Sequence, residues 1–467
     1  MKKTKIVATI SDMNCSEEFI RELYQNGMNV VRLNSAHQSL EGALKIVNAV
    51  RSVSDRIALM MDTKGPEIRT GIFDKPFVVE TGQLIGLSGS YDTTDCIPVT
   101  FSKFAHEVPV GSRILIDDGE VELLAVEKNN NDLLCKVLNG GEIKSKKSVN
   151  TPNVLIDLPS ISKKDRLYID FSIANNLDFI AHSFVRNRSD VEAVQNILDE
   201  QDSSIKIIAK IENQSGVDNI DEILDVAYGV MVARGDLAIE IPFARVPGIQ
   251  KMLIDKCIEK RKPVIIATQM LHSMIEEPRP TRAEVNDVAS AIYNQADAMM
   301  LSGETAVGEF PVESVKAMAA IALEVERDKE DFYDIPIVVL NNKVSAFLIK
   351  SAVEGASELN AKAIIADTTS GRTIRSLAAY RGNRPIQVLS YSDKTVRHLA
   401  LSYGVSARFM EQEQKSHEFI GKALDQLQRE NILQQSDMVV VIAGNFGRSK
   451  GASFVEIGSV ENLLNAE

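Results

Sequence analysis

Eight short apolar runs rich in β-branched residues recur along the first two thirds of the chain, beginning at residues 5, 29, 57, 178, 205, 229, 263 and 297. Runs of this length are typical of strands that are buried on both faces. Most are followed by a longer segment with apolar residues three and four positions apart, as in 16–28 and 189–201. This alternation predicts parallel strands joined by crossover helices, and eight strands are the number that a (β/α)8 barrel requires.

This alternation of predicted strands and helices is interrupted twice, which indicates three domains in a chain of 467 residues. Between residues 71 and 157, short alternating stretches separated by Gly, Asn and Asp turns predict a small antiparallel β domain inserted into the barrel. After residue 334 the strand and helix rhythm resumes and predicts a further α/β domain. We therefore assign 1–70 and 158–334 to the barrel, 71–157 to the insertion and 335–467 to the C-terminal domain.

The charge balance limits the partners that this chain can have. Lys and Arg total 52 against 65 Asp and Glu, a net charge of −13 that repels polyanions. We expect neither nucleic acid nor an anionic membrane surface as a partner, so that an anionic substrate must be bound by local positive charge. No apolar stretch reaches the roughly 18 residues of a spanning helix, and the first apolar run is too short for a signal peptide. Four widely spaced cysteines predict reduced thiols in the cytoplasm.

Charged side chains at the ends of two predicted strands indicate a metal site. Lys210 and Glu212 are two residues apart, so that both side chains point to the same face of their strand. Asp236 follows the next strand, and neighbouring strands lie about 4.8 Å apart, so Glu212 and Asp236 could share a hard cation such as Mg²⁺. Lys210 would then stabilise phosphoryl oxygens beside that cation. The alternative is that these are ordinary ion pairs at strand ends.

Other strand ends carry residues suited to phosphate or carboxylate binding. Arg32 and Asn34 lie on one face of the second predicted strand, and the guanidinium of Arg32 could clamp a phosphate or form a salt bridge at the barrel rim. Thr268 ends the seventh run and could hold a substrate carboxylate, relay a proton or simply cap the strand. Gly235 and Asp236 could begin a short helix whose free amides bind an anion, or could form a plain loop.

Six segments occur in a fixed order along the chain: MDTKGPEIRT, KIEN, MVARGD, IATQML, PRPTRAE and LSGET. In this order and separation they resemble the pyruvate kinase family, and the resemblance runs through all three domains. It implies a (β/α)8 TIM barrel, an inserted small β-barrel domain that forms a mobile lid, and a C-terminal α/β regulatory domain. It also implies a homotetramer that transfers phosphate from phosphoenolpyruvate to ADP in glycolysis, giving pyruvate and ATP.

The resemblance implies roles for individual residues. Catalytic roles fall to Lys210, Thr268 and Arg32, and substrate binding to Arg32, Lys210, Gly235, Asp236 and Thr268. Mg²⁺ would be bound by Glu212 and Asp236, and K⁺ by Asn34, Asp62 and Thr63. The nucleotide would be contacted by Asn34, His37, Arg69 and Lys147.

Some positions depart from the family pattern. Ala36 stands where the family has a serine whose hydroxyl binds K⁺, whereas Glu67 is the residue type that accompanies K⁺ dependence. We expect K⁺ activation with weakened affinity. The lid segment also carries Ser148, Thr151 and Asn153 where Gly, Leu and Gly are common in the family, and we expect slower or altered lid closure.

An effector site is predicted in the C-terminal domain. The segment Thr368, Thr369, Ser370, Gly371, Arg372 and Thr373 follows a strand and opens a helix, with hydroxyl groups and a glycine that could cradle phosphate. It resembles the family's sugar-phosphate effector loop. A second effector element is expected near 443–454, where Arg448 and Lys450 could supply charge. Both could instead be structural turns.

Two competing functions stay open at this stage. One is a phosphometabolite sensor with the same fold and impaired catalysis, suggested by Ala36 and the altered lid. The other is a different Mg²⁺-dependent barrel enzyme acting on phosphoenolpyruvate or a 2-oxo acid, such as an aldolase or mutase. The inserted β domain and Lys147 argue against the latter, because those reactions need no nucleotide lid.

Overall fold

The computed structural model describes residues 2–90, 96–129, 131–154, 156–328, 342–444 and 451–465. The strands are β1 (Lys5–Thr9), β2 (Val30–Asn34), β3 (Ala58–Asp62), β4 (Phe77–Val79), β5 (Leu84–Ser88), β6 (Cys96–Pro98), β7 (Arg113–Ile116), β8 (Val121–Asn129), β9 (Asp132–Asn139), β10 (Gly141–Ile143), β11 (Val149–Asn150), β12 (Phe179–His182), β13 (Lys206–Ile211), β14 (Gly229–Ala233), β15 (Val264–Ala267), β16 (Ala298–Leu301), β17 (Ala363–Thr368), β18 (Ile386–Ser390), β19 (Val405–Phe409), β20 (Met438–Ala443) and β21 (Phe454–Ser459). The helices are α1 (Glu17–Gln25), α2 (Leu40–Val53), α3 (Phe104–Glu107), α4 (Lys163–Ala174), α5 (Arg188–Glu200), α6 (Gln214–Asp218), α7 (Ile220–Val226), α8 (Arg234–Glu240), α9 (Val246–Glu259), α10 (Arg282–Tyr293), α11 (Gly303–Ala306), α12 (Pro311–Asp328), α13 (Lys343–Glu358), α14 (Arg372–Ala379), α15 (Asp393–His398), α16 (Ser416–Arg429) and α17 (Val460–Leu464).

Eight parallel strands close into a barrel in the order β1, β2, β3, β12, β13, β14, β15 and β16. Each of the eight apolar runs contains one of these strands, so the predicted barrel is confirmed. β1, β3 and β14 are buried at every position, because helices cover the outside of the barrel and side chains fill its inside. Of the two helical segments named from the sequence, 16–28 contains α1, and 189–201 coincides with α5 to within one residue at each end.

The insertion between β3 and α4 is a mainly β domain, with one short helix, α3, and its own core. Its strands form a six-stranded sheet in the order β11, β7, β8, β9, β5, β6 and a two-stranded sheet of β10 and β4. Pairing is antiparallel as predicted, except that β5 and β6 run parallel. Along much of β8 and β9, buried residues alternate with more exposed ones, since the sheet packs on one face against a hydrophobic cluster separate from the barrel's.

The C-terminal domain is built on a five-stranded sheet in the order β19, β18, β17, β20, β21. The first four strands are parallel and were predicted, as was α13. β21 pairs antiparallel with β20 and was not predicted. Its residues are mostly half-buried, and it lacks the continuous apolar run that identified the others.

The C-terminal domain packs against the amino ends of the barrel strands. Asp178, directly before β12, is fully buried and pairs with Arg397 of α15 at 2.8 Å. Asp297, directly before β16, pairs with Arg381 at 2.6 Å. One hydrophobic cluster continues from the barrel helices into the C-terminal domain. The carboxyl ends of the strands therefore face away from this domain, towards the lid.

Some expectations are left open. The predicted boundary at 334 and the effector residues Arg448 and Lys450 lie outside the described residues, and the exact domain limits stay a prediction. Among the helices of the described ranges, none is both long and apolar enough to cross a bilayer.

Candidate active site

Four charged side chains from β2, β3 and β13 meet at the carboxyl ends of the barrel strands. The ammonium nitrogen of Lys210 lies 2.9 Å from Glu212 Oε1 and 3.1 Å from Asp62 Oδ1. The other oxygen of Asp62 accepts a hydrogen bond from Arg32 Nε at 2.6 Å. Lys210 and Glu212 are 9% and 1% exposed, so these charges interact with little solvent between them.

Glu212 and Asp236 form a carboxylate pair suited to a divalent cation. Burial raises the pKa of both carboxyl groups, which indicates that two negative charges are costly here without a further cation. No cluster of three or more His, Cys, Asp or Glu side chains suited to a metal ion occurs in the described ranges. A metal bound by this pair would therefore take its other ligands from water and substrate, which is the usual arrangement for Mg²⁺.

The backbone around Phe184 supports this pair. The amide of Phe184 donates to Glu212 Oε2 at 2.6 Å, so one oxygen of Glu212 is held by backbone and the other by Lys210. Phe184 has a φ of 55°, a left-handed conformation that is uncommon for an aromatic residue. Neither Phe184 nor Ser183 was identified from the sequence; the polar Ser183 directly after the apolar run of β12 was the available signal.

Thr268 and Gly235 lie together at the start of α8. The Thr268 hydroxyl accepts the Gly235 amide hydrogen at 2.8 Å and donates to the Ala267 carbonyl at 2.6 Å. The sequence allowed either a short helix or a plain loop at Gly235 and Asp236. The helix is present and begins at Arg234. Thr268 has a φ of 69°, a strained conformation for a β-branched residue.

The residues expected to bind K⁺ form an oxygen-rich corner between β2 and β3. Asp62 is 1% exposed, and Arg32 and Lys210 outweigh the effect of burial and lower its pKa. The Asn34 side-chain oxygen accepts the Ala36 amide hydrogen at 3.1 Å. The Thr63 carbonyl accepts a hydrogen bond from Ser183 at 2.6 Å. Carboxylate, amide and carbonyl oxygens are suitable donors for a hard monovalent cation.

A cavity of about 660 Å³ separates the lid from the barrel. Its lining includes Arg69 and Lys147 from the lid side and Asp236 from the barrel. Lys147 is paired with Asp117 at 2.7 Å, and Arg69 with Glu67 at 2.7 Å. The cavity is therefore shared by both predicted nucleotide-binding cations and by Asp236, one member of the carboxylate pair.

Other predicted residues lie apart from this cavity. His37 is exposed on the turn after β2. In the C-terminal domain, the Thr368 hydroxyl accepts the Gly371 amide hydrogen at 2.9 Å. Thr369 and Ser370 are exposed beside the first turn of α14, as an effector loop would require, and Gly371 adopts a φ of 75°.

Comparison with known proteins bears on the identity of this arrangement. The family model described as pyruvate kinase, barrel domain, matches residues 1–315, and that described as pyruvate kinase, alpha/beta domain, matches residues 347–457. A pyruvate kinase of Borreliella burgdorferi is 45% identical, over 99% of this chain and 98% of its own. One of Geobacillus stearothermophilus is 41% identical, over 99% of this chain and 81% of its own.

The comparison with solved structures also finds a pyruvate kinase. The crystal structure of a pyruvate kinase from Cryptosporidium parvum matches with a TM-score of 0.92 and 36% identity, covering 98% of this chain and 96% of its own. The sensor interpretation finds no support among these matches, and the aldolase or mutase interpretation does not fit them. Fold, sequence and the arrangement at the barrel mouth agree, and the chain belongs to the pyruvate kinase family.

Proposed function

We propose that this chain transfers the phosphoryl group of phosphoenolpyruvate to ADP through the cluster of Lys210, Glu212 and Asp236. The observation that carries the proposal is the buried cluster itself, in which Lys210 contacts Glu212 at 2.9 Å, while Asp236 lines the cavity that Lys147 also lines. Phosphoryl transfer needs positioned positive charge more than covalent chemistry from the protein. Lys210 supplies that charge beside the carboxylate pair, and Lys147 supplies it at the cavity.

Arg32 and Lys210 bind the transferring phosphoryl group in this proposal. Both are held by Asp62, so their charged groups are oriented before substrate arrives. Glu212 and Asp236 would hold Mg²⁺, and a divalent cation there would supply positive charge to the phosphoryl oxygens. The bond between phosphorus and the enol oxygen breaks as a bond to the terminal oxygen of ADP forms.

Thr268 and Gly235 bind the enolpyruvate end. The Thr268 hydroxyl is within hydrogen-bond distance of the Gly235 amide, and both groups lie at the start of α8. The enolate that remains after transfer takes a proton at its methylene carbon to become pyruvate. Thr268 is the residue we place closest to that proton transfer.

Asn34, His37, Arg69 and Lys147 are the proposed contacts of the nucleotide. Lys147 is paired with Asp117, so a nucleotide phosphate must displace this carboxylate or share the ammonium with it. The lid also meets the barrel at Asn150, whose amide lies 3.5 Å from Glu240. These contacts support a lid that orders around the nucleotide.

K⁺ is proposed to bind at Asn34, Asp62 and Thr63. Ala36 offers no side-chain oxygen there, and its carbonyl already accepts a hydrogen bond from Lys164 at 3.3 Å. We therefore propose K⁺ activation with weakened affinity. The Glu67 side chain is occupied by Lys64 at 3.2 Å and Arg69 at 2.7 Å.

Regulation, assembly and location are proposed on the family resemblance. A sugar phosphate is the proposed effector at Thr368–Thr373, where exposed hydroxyl groups adjoin a helix amino end. A homotetramer is the proposed assembly, which sedimentation velocity would measure. The cytoplasm is the proposed location.

The test is formation of pyruvate from phosphoenolpyruvate and ADP with Mg²⁺, with K⁺ or with tetramethylammonium. We expect Mg²⁺-dependent turnover that K⁺ increases. Glu212→Gln serves as the control, because it removes one ligand charge while keeping the side-chain volume. Absence of turnover in every buffer would contradict the proposed function. Turnover that is indifferent to K⁺ would contradict the monovalent site alone.

A further inference from the structure

Ser183 has no assigned role, yet its hydroxyl contacts the proposed catalytic lysine. It follows β12 at the barrel mouth and is 2% exposed. Lys210 Nζ donates to Ser183 Oγ at 2.7 Å, the shortest of the lysine's three polar contacts. Because an ammonium group cannot accept a hydrogen bond, Ser183 must be the acceptor in this pair.

The hydrogen of the Ser183 hydroxyl therefore points elsewhere. Its shorter acceptor is the Thr63 carbonyl at 2.6 Å, against 3.4 Å for Asp62 Oδ1. The Ser183 amide also donates to Thr63 Oγ1 at 3.1 Å. Ser183 thus connects the Lys210 ammonium to the carbonyl of Thr63.

The three acceptors around Lys210 differ in what else binds them. An ammonium group has three N–H donors, and Ser183, Glu212 and Asp62 take all three. A substrate oxygen must therefore replace one of them. Asp62 also binds Arg32, and Glu212 is a proposed Mg²⁺ ligand. Ser183 is the neutral acceptor, so it can orient the ammonium without cancelling its charge.

We propose that Ser183 is a positioning residue that holds the Lys210 ammonium and couples it to the monovalent-cation site through the carbonyl of Thr63. A carbonyl oxygen has two lone pairs, so that of Thr63 can accept the Ser183 hydroxyl and face a cation together. Occupancy of the cation site then fixes the Thr63 carbonyl, and Ser183 transmits that position to Lys210. This inference rests on the proposed function.

Ser183→Ala tests the role by kinetics. We expect kcat to fall by about 10- to 100-fold, since a displaced catalytic group costs that much, while the KM for phosphoenolpyruvate changes by less than about threefold. Ser314→Ala is the matched control. Ser314 is also fully buried, and its hydroxyl donates to the Phe310 carbonyl at 2.8 Å in α12, away from the site. This control should keep the wild-type kcat.

Calorimetric binding of phosphoenolpyruvate with Mg²⁺ tests the coupling without turnover. We expect K⁺, compared with tetramethylammonium, to tighten binding to the wild-type chain and to Ser314→Ala by at least about fivefold. In Ser183→Ala this ratio should fall towards one. Ser183→Cys keeps the side-chain shape but is a weak acceptor, and it should lose the same ratio if the alanine variant does not fold.

The outcomes separate this inference from the proposed function. An inactive wild-type chain would contradict the function itself. An active wild-type chain whose Ser183→Ala or Ser183→Cys variant keeps both kcat and the K⁺ ratio would overturn the role of Ser183. So would an active wild-type chain whose substrate affinity is the same in K⁺ and in tetramethylammonium.

Discussion

At the scale of single residues, Lys210 shows how a buried charge can be kept. Burial lowers the pKa of its ammonium, but Asp62 and Glu212 outweigh that effect and raise it, so the group stays charged at any working pH. A charge held beside developing phosphoryl charge contributes mainly to the transition state. Its removal should therefore reduce kcat more than substrate affinity.

For Lys210→Met we expect kcat to fall by about 100- to 1000-fold, with a smaller change in the KM for phosphoenolpyruvate. Steady-state kinetics with Mg²⁺ and K⁺ saturating would measure both. Lys206→Met is the matched control, because Lys206 begins the same strand at its opposite end. A near-normal kcat in Lys210→Met would remove Lys210 from the proposed mechanism.

His182 gives a prediction about stability and pH. It is fully buried in β12, and neither ring nitrogen has a hydrogen-bond partner among the described residues. Burial is the largest effect on this group and lowers its pKa to about 4. The unfolded chain binds the proton below about pH 6.5, whereas the folded chain resists it until about pH 4. His182 therefore costs the fold no stability above about pH 6.5. As the pH falls from about 6.5 to about 4, the free energy of unfolding decreases.

Replacement of the imidazole should remove this loss. We expect the thermal midpoint of the wild-type chain to fall between pH 7.5 and pH 5 by more than that of His182→Leu. The difference corresponds to at most about 2 kcal/mol, since only the interval between pH 6.5 and pH 5 contributes and one pKa unit is about 1.36 kcal/mol. Calorimetry at both pH values measures it. If the thermal midpoints of the two proteins fell by the same amount, protonation of His182 would not destabilise the fold.

The spacing of residues predicted only part of the site. Lys210 and Glu212 could be placed together because a strand has a two-residue period, and Asp236 because it follows the adjacent strand. Phe184 could not be found in this way, because its contribution is a backbone amide presented by a left-handed residue. Amide positions depend on dihedral angles that the residue type does not determine.

At the scale of elements, the segment that leads from β3 towards the lid packs tightly against the end of β12. Gly65 has a φ of 73°, and a Cβ there would lie 2.7 Å from the ring of Phe184 and 2.8 Å from Ser183 Cβ. Both distances are too short for ordinary contact. A side chain at Gly65 would therefore push on residues whose backbone and hydroxyl hold Glu212 and Lys210.

We expect Gly65→Ala to lower kcat by at least about tenfold, because small displacements of catalytic groups are costly. Gly82→Ala is a matched control from the lid. Gly82 also has a positive φ, of 89°, but a Cβ there would meet nothing within 4 Å. It shares the backbone strain without the clash and should keep wild-type kinetics. Equal effects of the two substitutions would attribute the loss to strain.

Elements were predictable where their pattern was strong. The eight barrel strands are almost wholly buried, so each appears as a short and largely apolar run. The helix α10 begins at a capping box of Thr281 and Glu284, whose spacing is visible in the sequence. β21 was missed because an edge strand buries too little apolar surface to leave such a pattern.

At the scale of the whole molecule, sequence patterns could divide the chain into three domains but could not show how they pack. The docking of the C-terminal domain depends on contacts between residues more than 80 positions apart, such as Asp297 with Arg381. Neither local propensity nor periodicity carries that information. The helix α15 connects the proposed effector loop to the barrel, because its Thr395 donates to the Thr369 carbonyl at 2.9 Å and its Arg397 pairs with Asp178.

Asp178 is the centre of this docking contact and supports the last prediction. Its fully buried carboxylate binds Arg51 at 2.9 Å, Arg397 at 2.8 Å and Lys394 at 3.4 Å. These cations outweigh the effect of burial and lower the pKa of Asp178.

Asp178→Asn would leave three cations without their anion, so we expect the free energy of unfolding to fall by about 3 to 5 kcal/mol. Calorimetry and hydrogen exchange in β17 and β18 would measure it. Asp170→Asn, at a half-buried carboxylate that pairs with Arg166 at 3.2 Å, should cost less than about 1 kcal/mol. An equally small effect at Asp178 would show that its ion pairs do not hold the domains together.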